Sequence, residues 1–253
     1  MSQITDVLNL IKDEEVEYVD VRFTDPKGKL QHVTLIVDII DEDFFIEGFM
    51  FDGSSIAGWK SIDQSDMKLI PDPSSVYIDP FYAEKTLCVH CNVVEPDTNE
   101  AYPRDPRGTA AKAEAYLKSS GIGDVSYYGP EAEFFLFDDV RYAVTPAKVS
   151  FQIDAEAAAW NTDAEFESGN LAHRAGHKGG YFPVNPVDEA QDIRGEMLST
   201  MKRMTWKVVS AVTSVTIGRA HVTGTPSLTS RAAATRFAGV MRFMVPSWSS
   251  APQ

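Results

Sequence analysis

The chain has 253 residues, of which 43% are hydrophobic and 11% aromatic, and its formal net charge is −14. This composition excludes an intrinsically disordered protein, and the length allows one large domain or two ordinary ones. The acidic balance gives no indication of nucleic-acid binding, no apolar run is long enough to cross a bilayer, and the first residues show no signal peptide.

The amino-terminal part of the chain predicts a helix followed by a hairpin. In residues 3–14 the apolar side chains recur at helical spacing. Val16–Thr24 and Leu30–Ile40 both alternate in polarity, which is typical of strands. The segment between them, Asp25-Pro26-Lys27-Gly28, is a strong turn signal, so we expect the two strands to pair.

A further strand and a domain boundary follow. Thr86–Val94 predicts the strand, and the polar segment Asp97–Arg107 predicts the boundary. Cys88 and Cys91, the two cysteines of the chain, lie inside this strand. A single Cys-x-x-Cys is weak evidence for zinc, and we interpret both thiols as core residues of a protein in a reducing cytoplasm.

The next predicted element is a helix with a well-marked beginning. Asp105 is a favourable N-cap residue, Pro106 suits the first helical position, and Gly121 lies just beyond the expected end. The side chains that we expect to face the core are Ala110, Ala113 and Leu117.

Residues 127–137 predict a strand that carries two carboxylates. Aromatic and aliphatic residues follow Gly129-Pro130, and among them Glu131 and Glu133 lie on one face, roughly 7 Å apart. Carboxylates in an apolar strand need a positive partner, and Mg²⁺ is suitable because it takes oxygen ligands and organises phosphates. The alternative is that both side chains point into water at a strand end, and the pair alone leaves this open.

Two elements are predicted between this strand and residue 204. Ser150–Ile153 indicates a short strand. Asp188 with Gln191 resembles a capping box, which would begin a helix that carries its apolar side chains on one face as far as Met204.

The last part of the chain differs in composition from the rest. No acidic residue follows Glu196, whereas seven basic residues do. One interpretation is a basic tail for anionic partners, but its charges are scattered and no aromatic residues form a stacking platform between them. We favour the hypothesis that the sequence after about Met204 comes from a shifted reading frame, since acidic residues and periodicity disappear together. We expect residues 205–253 to be disordered.

Other polar segments are ambiguous when taken alone. Asp52 lies in a loop with glycines and serines, but the loop lacks the lysine and the spacing of a phosphate-binding loop, so an ordinary turn explains it. Tyr181 follows Lys178-Gly179-Gly180, and such tyrosines more often pack than act. His173 and His177 flank a glycine-bearing segment, so we interpret them as surface residues, not as a helical metal site.

Taken in order, several segments resemble bacterial type I glutamine synthetase. They are Phe49–Trp59 (Phe-Met-Phe-Asp-Gly-Ser-Ser-Ile-Ala-Gly-Trp), Gly129–Phe137 (Gly-Pro-Glu-Ala-Glu-Phe-Phe-Leu-Phe) and Gly179–Pro183 (Gly-Gly-Tyr-Phe-Pro). Asp188–Met201 continues the match. The resemblance covers residues 1 to about 204 and is specific, because several long segments agree in both sequence and order.

The resemblance implies an α+β protein with two domains. Residues 1–104 would form a small β-grasp-like domain, and residues 105–204 the first part of a catalytic domain built on a curved antiparallel sheet. Residues 205–253 match nothing in the family. The implied reaction is the ATP-dependent ligation of ammonia to glutamate, in which ATP first phosphorylates the side-chain carboxylate and ammonia then displaces phosphate.

The functional residues of the family can be carried over to the matching positions. By this resemblance Glu131 and Glu133 bind divalent cations, Mg²⁺ or Mn²⁺, one on the ATP side and one on the glutamate side. Asp52 reaches into the active site of a neighbouring subunit, where it helps to bind and deprotonate ammonium. Ser55 and Tyr181 line the ammonium pocket.

The resemblance also implies an assembly. Asp66 matches an acidic residue of the subunit interface near a flexible flap. A full-length relative is expected to form a homo-oligomer of two stacked six-membered rings, a dodecamer, with active sites between subunits. The implied small-molecule partners are glutamate, ammonium and ATP, in the cytoplasm.

The chain departs from the family pattern after Met204. Where the family continues with a His-His-Glu segment, this chain has Met204-Thr205-Trp206-Lys207-Val208-Val209-Ser210, and later metal ligands and substrate-binding arginines find no match. We therefore expect that this polypeptide alone does not make glutamine. The alternatives are an inert subunit that assembles with intact ones, a ligase that joins another amine to glutamate, and a binding module that uses the basic tail.

Overall fold

A computed structural model describes residues 3–126, 131–175, 182–204, 210–213 and 219–223. Their contacts divide them into two units. The first comprises the described residues up to Ser126, and the second those from Glu131 onward. Tyr181, His177 and the first four residues of the strand predicted at 127–137 lie outside the described residues.

The first unit is an α+β arrangement around a six-stranded sheet. Its elements are α1 (Gln3–Asp13), β1 (Tyr18–Thr24), β2 (Leu30–Ile36), α2 (Glu42–Glu47), β3 (Phe49–Asp52), β4 (Asp66–Pro71), β5 (Tyr77–Ile78), β6 (Thr86–Val94) and α3 (Pro106–Ser119). The strand order is β2-β1-β6-β4-β3, and β5 pairs with β6. β1 and β6 are parallel, whereas the other pairs are antiparallel.

The predicted amino-terminal helix and hairpin are confirmed. β1 pairs with β2 from Tyr18 opposite Ile36 to Thr24 opposite Leu30. The second strand is shorter than predicted, because it ends at Ile36 and the next residues, Val37–Ile39, form a 3₁₀ helix.

One face of the sheet supplies the apolar core. Val19 and Val21 of β1 are completely buried, and they belong to the same cluster as Val7 and Ile11 of α1. Alternation along a strand explains this pattern, since every second side chain faces the helices. Cys88 and Cys91 are buried free thiols, so their interpretation as core residues is confirmed.

The opposite face of β1 carries a buried ion-pair network. Arg22 donates from Nε to Asp20 at 2.7 Å and from Nη2 to Asp79 at 2.9 Å. His32 Nδ1 lies 2.6 Å from the other oxygen of Asp20, and the Thr34 hydroxyl donates to that oxygen at 2.7 Å. Burial disfavours the ionised form of Asp20, but the hydrogen bonds from His32, Arg22 and Thr34 prevail and hold its pKa below the usual range.

Helix α3 begins as predicted. The buried Asp105 carboxylate accepts hydrogen bonds from the backbone N–H groups of Arg107 and Gly108, and also from Val93 of β6. This cap therefore also joins the helix to the sheet. The prediction that Ala113 faces the core is wrong, because that residue is exposed, whereas Ala110 and Leu117 are partly buried.

The second unit contains β7 (Glu131–Phe135), β8 (Asp139–Thr145), β9 (Lys148–Asp154), α4 (Gln191–Arg203), β10 (Ser210–Thr213) and β11 (Arg219–Thr223). β7, β11 and β10 form an antiparallel sheet, and β8 and β9 form a separate hairpin. The short strand predicted at Ser150–Ile153 is the middle of β9. Two strands thus lie in the segment after residue 204, for which the sequence predicts disorder.

The predicted capping box at Asp188 is wrong. The helix begins at Gln191, and its N-cap residue, Ala190, has no side-chain cap. Asp188 instead forms a buried ion pair with Arg194, whose Nη1 donates to Asp188 Oδ1 at 3.0 Å. The carboxylate is therefore bound to a guanidinium one turn along the helix and not to the first N–H groups.

Candidate functional site

The end of the β3–β4 pair brings together three of the residues that the resemblance singles out. Asp52 is the last residue of β3, Asp66 is the first residue of β4, and the two are directly opposite each other in the register. Ser55 follows Asp52 within one 3₁₀ turn, Gly53–Ser55. β3 is an edge strand of the sheet, and Asp52, Ser55 and Asp66 are all exposed.

Local hydrogen bonds fix the Asp52 carboxylate. Its Oδ1 accepts from the Ser54 backbone N–H at 2.8 Å and from the Ser54 hydroxyl at 2.6 Å, while Oδ2 accepts from the Ser55 hydroxyl at 3.2 Å. These donors, those of Ser54 first, hold the pKa of Asp52 below its ordinary value. The group is therefore an oriented anion at neutral pH.

A glycine is needed immediately after Asp52. The backbone N–H of Gly53 donates to the carbonyl of Ser65 at 2.7 Å, which closes the end of the strand pair. A Cβ atom at this position would lie 2.2 Å from Sδ and 2.6 Å from Cγ of Met67. Because Met67 is completely buried, a side chain at position 53 would displace either the loop or the core.

The same turn occurs a second time in the chain. Asp72-Pro73-Ser74-Ser75 repeats the Asp-x-Ser-Ser pattern, and the Ser74 N–H and hydroxyl donate to Asp72 Oδ1 at 3.0 and 2.6 Å. At Asp72 the other carboxylate oxygen pairs with Arg107 Nη2 at 2.5 Å. Within the described residues no cationic side chain pairs with Asp52, so its charge is balanced by hydrogen-bond donors alone.

Strand β7 contains the two predicted metal ligands. Glu131 is opposite Thr223 and Glu133 is opposite His221 in the pairing with β11. Positions two apart on a strand share a face. Two carboxylates on one face are hard oxygen donors of the kind that Mg²⁺ and Mn²⁺ take, so these residues fit such an ion. Among the described side chains, no group of three or more His, Cys, Asp or Glu is arranged to hold a metal.

The structure thus assembles part of the predicted site. Asp52, Ser55 and Asp66 share one exposed edge, whereas Glu131 and Glu133 belong to the other unit. Tyr181 lies outside the described residues, and the exposed position of His173 agrees with its interpretation as a surface residue. Sequence reasoning missed the second Asp-x-Ser-Ser turn, although the repeated pattern is visible in the sequence.

Family models match both parts of the chain. The model described as glutamine synthetase, beta-Grasp domain, matches residues 15–96, and the model described as glutamine synthetase, catalytic domain, matches residues 103–236. The second match extends beyond residue 204, where the resemblance seen in the sequence ends.

Curated relatives agree with these matches. A glutamine synthetase from Cereibacter sphaeroides is 83% identical over 208 residues, which are 82% of this chain and 44% of the relative. One from Rhodobacter capsulatus is 84% identical over 208 residues, 82% of this chain and 47% of the relative. The chain therefore spans less than half the length of these relatives.

Solved structures support the fold. A cryo-EM structure of Plasmodium falciparum glutamine synthetase superposes with a TM-score of 0.84 at 21% identity, covering 96% of this chain and 48% of that one. The α+β prediction with a β-grasp amino-terminal domain is confirmed. No helix among the described residues is long and apolar enough to span a membrane.

Proposed function

Since the chain belongs to the glutamine synthetase family, we propose that the protein it forms part of ligates ammonia to glutamate with conversion of ATP to ADP and phosphate. The observation on this chain that carries the proposal is the Asp52 carboxylate, which is ionised, oriented by two serines and without a cationic partner in the described residues. An exposed anion held in this way is suited to bind a small cation such as ammonium.

The reaction divides into two displacements. In the first, an oxygen of the glutamate side-chain carboxylate attacks the terminal phosphorus of ATP, the bond to ADP breaks, and an acyl phosphate forms. In the second, the lone pair of ammonia attacks the acyl carbon, phosphate leaves with the electron pair of the C–O bond, and nitrogen loses one proton. Ammonium has no lone pair, so the site must first bind the cation and then remove a proton.

Asp52 is proposed to act on ammonium in the site of a neighbouring subunit. A lowered pKa makes a carboxylate a more persistent anion but a weaker base. The lowered pKa of Asp52 therefore favours electrostatic capture of ammonium over removal of its proton. Ser55 and Tyr181 are proposed to line the same pocket, with Asp66 in the adjoining subunit interface.

Glu131 and Glu133 are proposed to hold divalent cations, Mg²⁺ or Mn²⁺. When bound, such ions neutralise charge on the transferring phosphoryl group. The contribution of the chain is the strand β7, in which Glu131 and Glu133 occupy alternate positions. We further propose a ring-forming homo-oligomer, a dodecamer in the complete protein, with ATP, glutamate and ammonium as substrates. The two free thiols support a reducing, cytoplasmic location.

A complementation assay tests this function. The chain is mixed with a full-length relative whose residue equivalent to Asp52 is replaced by alanine, and ATP- and ammonium-dependent glutamine formation is measured. We expect wild-type chain to restore activity and Asp52→Asn chain to restore less than about one hundredth of it, since the loss of one transition-state contact has about that effect. Asp38→Asn, which removes a remote exposed carboxylate, serves as the control.

Two results would contradict the proposal. One is that wild-type and Asp52→Asn chains co-elute with the relative and restore equal activity. The other is that the wild-type chain co-elutes but restores none.

A further inference from the structure

The loop that follows Asp52 is held at its far end by the segment that leaves β6. We call residues 53–60 the Asp52 loop and residues 95–105 the connector. The near end of the loop is held by the sheet, because Asp52 is paired with Asp66 and the Gly53 N–H donates to the Ser65 carbonyl at 2.7 Å. The Asp52 carboxylate, however, accepts its side-chain hydrogen bonds from Ser54 and Ser55, which belong to the loop. The orientation of the carboxylate therefore also depends on what anchors the other end of the loop, which positions these two serines.

An aromatic contact forms the first part of the anchor. Trp59 is buried, and its ring lies 5.4 Å from that of Phe23 and 6.0 Å from that of Phe51, between ring centroids. Tyr102 of the connector covers it edge-on, with a centroid distance of 5.5 Å. Tyr102 is in turn fixed to the sheet, because its backbone N–H donates to the carbonyl of Val93 at 2.9 Å.

An ion pair forms the second part. Lys60 Nζ lies 2.7 Å from Glu95 Oε2, and both side chains are mostly buried. The same ammonium group lies 5.6 Å from the centroid of the Tyr102 ring, within the range of a cation–π contact. Lys60 is thus bound to the connector at two points.

Arg104 forms the third part. Its Nη1 donates to the carbonyl oxygen of Gly58 and also lies 3.5 Å from the carbonyl oxygen of Trp59. Gly58 has φ +87, a backbone conformation that residues with a side chain rarely adopt. Nη1 can serve two neighbouring carbonyls because it has two N–H donors.

From these contacts we propose that the connector is a clasp that positions the Asp52 loop, and that Arg104 is a positioning residue for ammonium binding by Asp52. The reference to ammonium rests on the proposed function, whereas the clasp rests on the contacts alone. The connector also leads directly into the cap of α3, where Asp105 binds the Val93 N–H at 3.2 Å. A displacement of the connector would therefore be transmitted to the Asp52 loop.

Hydrogen exchange on the whole chain tests the clasp. The amides of Ile56 and Trp59 donate to carbonyls within the loop and report its opening. In Arg104→Ala we expect both to exchange about fivefold faster, the effect of losing roughly one hydrogen bond of ordinary strength at an exposed side chain, while the amides of β6 keep their rates. Arg104→Lys should recover part of the protection. Lys112→Ala, which removes an exposed cation from α3, should change neither.

The complementation assay tests the link to ammonium. With Arg104→Ala chain we expect the KM for ammonium to rise about fivefold and kcat to change less than about twofold, because a displaced Asp52 weakens capture of the cation. A merely structural role would lower the amount of active assembly and leave KM unchanged. Arg104→Lys should give an intermediate KM.

Each outcome decides a separate claim. Unchanged exchange at Ile56 and Trp59 in Arg104→Ala overturns the clasp. Faster exchange with an unchanged ammonium KM overturns the role of Arg104 in binding. If wild-type chain co-elutes and restores no glutamine formation, the proposed function fails and the ammonium assignment falls with it, while the exchange data still decide whether the connector holds the loop.

Discussion

Asp52 and Asp66 are direct cross-strand neighbours at the exposed end of the β3–β4 pair. Like charges in this relationship repel each other, and the described residues provide no cation between them. An edge that keeps two opposed carboxylates is suited to bind a cation brought by a substrate or by another subunit. This juxtaposition is what the fold adds to a pair of residues 14 positions apart in the sequence.

The repulsion can be measured directly. We predict that Asp66→Asn raises the midpoint of thermal unfolding of the chain at low ionic strength, because it removes one of the two opposed charges. The gain should disappear at about 1 M salt, where the screening length is about 3 Å. An unchanged midpoint at low salt would show that the carboxylates do not interact. Asp38→Asn is the control for a general effect of net charge.

The lowered pKa of Asp52 should depend on Ser54. We predict that Ser54→Ala raises the pKa of Asp52 toward its ordinary value, because the hydroxyl bond at 2.6 Å is lost while the Ser54 backbone N–H and the Ser55 hydroxyl remain. The titration of side-chain carboxyl carbons by NMR measures this shift. The matched control is Ser74→Ala, which removes the corresponding hydroxyl from Asp72 and should leave Asp52 unaffected. A shift of equal size in both variants would refute the local explanation.

The buried network of β1 predicts a loss of stability in acid. Burial opposes ionisation of Asp20, but hydrogen bonds from His32, Arg22 and Thr34 hold its pKa in the folded protein below the ordinary value, so the unfolded chain takes up this proton at a higher pH than the folded chain does. The stabilisation is complete above the unfolded pKa and is lost as the pH falls through the folded one. We predict that Asp20→Asn lowers the free energy of unfolding at pH 7 by about 3 kcal/mol, because Arg22 loses a buried partner.

The pH dependence separates this effect from a simple packing defect. Urea unfolding of both proteins between pH 7 and pH 2.5 should show a smaller decline in the variant, since the titrating group is gone. A decline of the same size in both would mean that Asp20 does not account for acid sensitivity. Near pH 7 the titration of Asp20 should make no contribution to the pH dependence of the free energy of unfolding in either protein.

The sequence allowed the fold class and the local signals to be predicted, but not the long-range pairings. The Asp105 cap was predictable because its bonds to the Arg107 and Gly108 N–H groups are local, whereas its bond to Val93 of β6 was not. The capping box at Asp188 failed because Arg194, six positions later, binds the carboxylate in the fold. Ala113 was expected in the core from helical spacing, yet spacing alone does not say which face of a helix meets the sheet.

In the candidate site, too, the long-range contacts could not be predicted from the sequence. Its residues were assigned from resemblance to a family, and physical reasoning alone left Asp52 as an ordinary turn residue. The fold distinguishes Asp52 from Asp72. Arg107, 35 positions from Asp72, binds the Asp72 carboxylate, whereas no cation among the described residues binds Asp52. Contacts at this sequence separation are not encoded in any local pattern.

Because Gly53 lies close to Met67, we predict that a side chain at position 53 strongly destabilises the fold. Gly53→Ala would place a Cβ 2.2 Å from Met67 Sδ, and Met67 has no exposed surface into which it could move. We predict a loss of about 2 kcal/mol in the free energy of unfolding, typical of overpacking in a core. Gly58→Ala is the informative comparison, because a Cβ there meets nothing within 4 Å, although the φ of +87 is unfavourable for alanine. Its cost should be about 1 kcal/mol.

A double-mutant cycle shows whether the defect at Gly53 is steric. Met67→Ala alone should destabilise the chain by about 3 kcal/mol through the cavity that it leaves. In the Gly53→Ala/Met67→Ala variant the new methyl group has room, so the combined loss should be smaller than the sum of the two by about 1 kcal/mol or more. Gly58→Ala combined with Met67→Ala should be additive, because that Cβ does not contact Met67. Additivity in the first pair would mean that Gly53 is required for its backbone conformation and not for the space beside Met67.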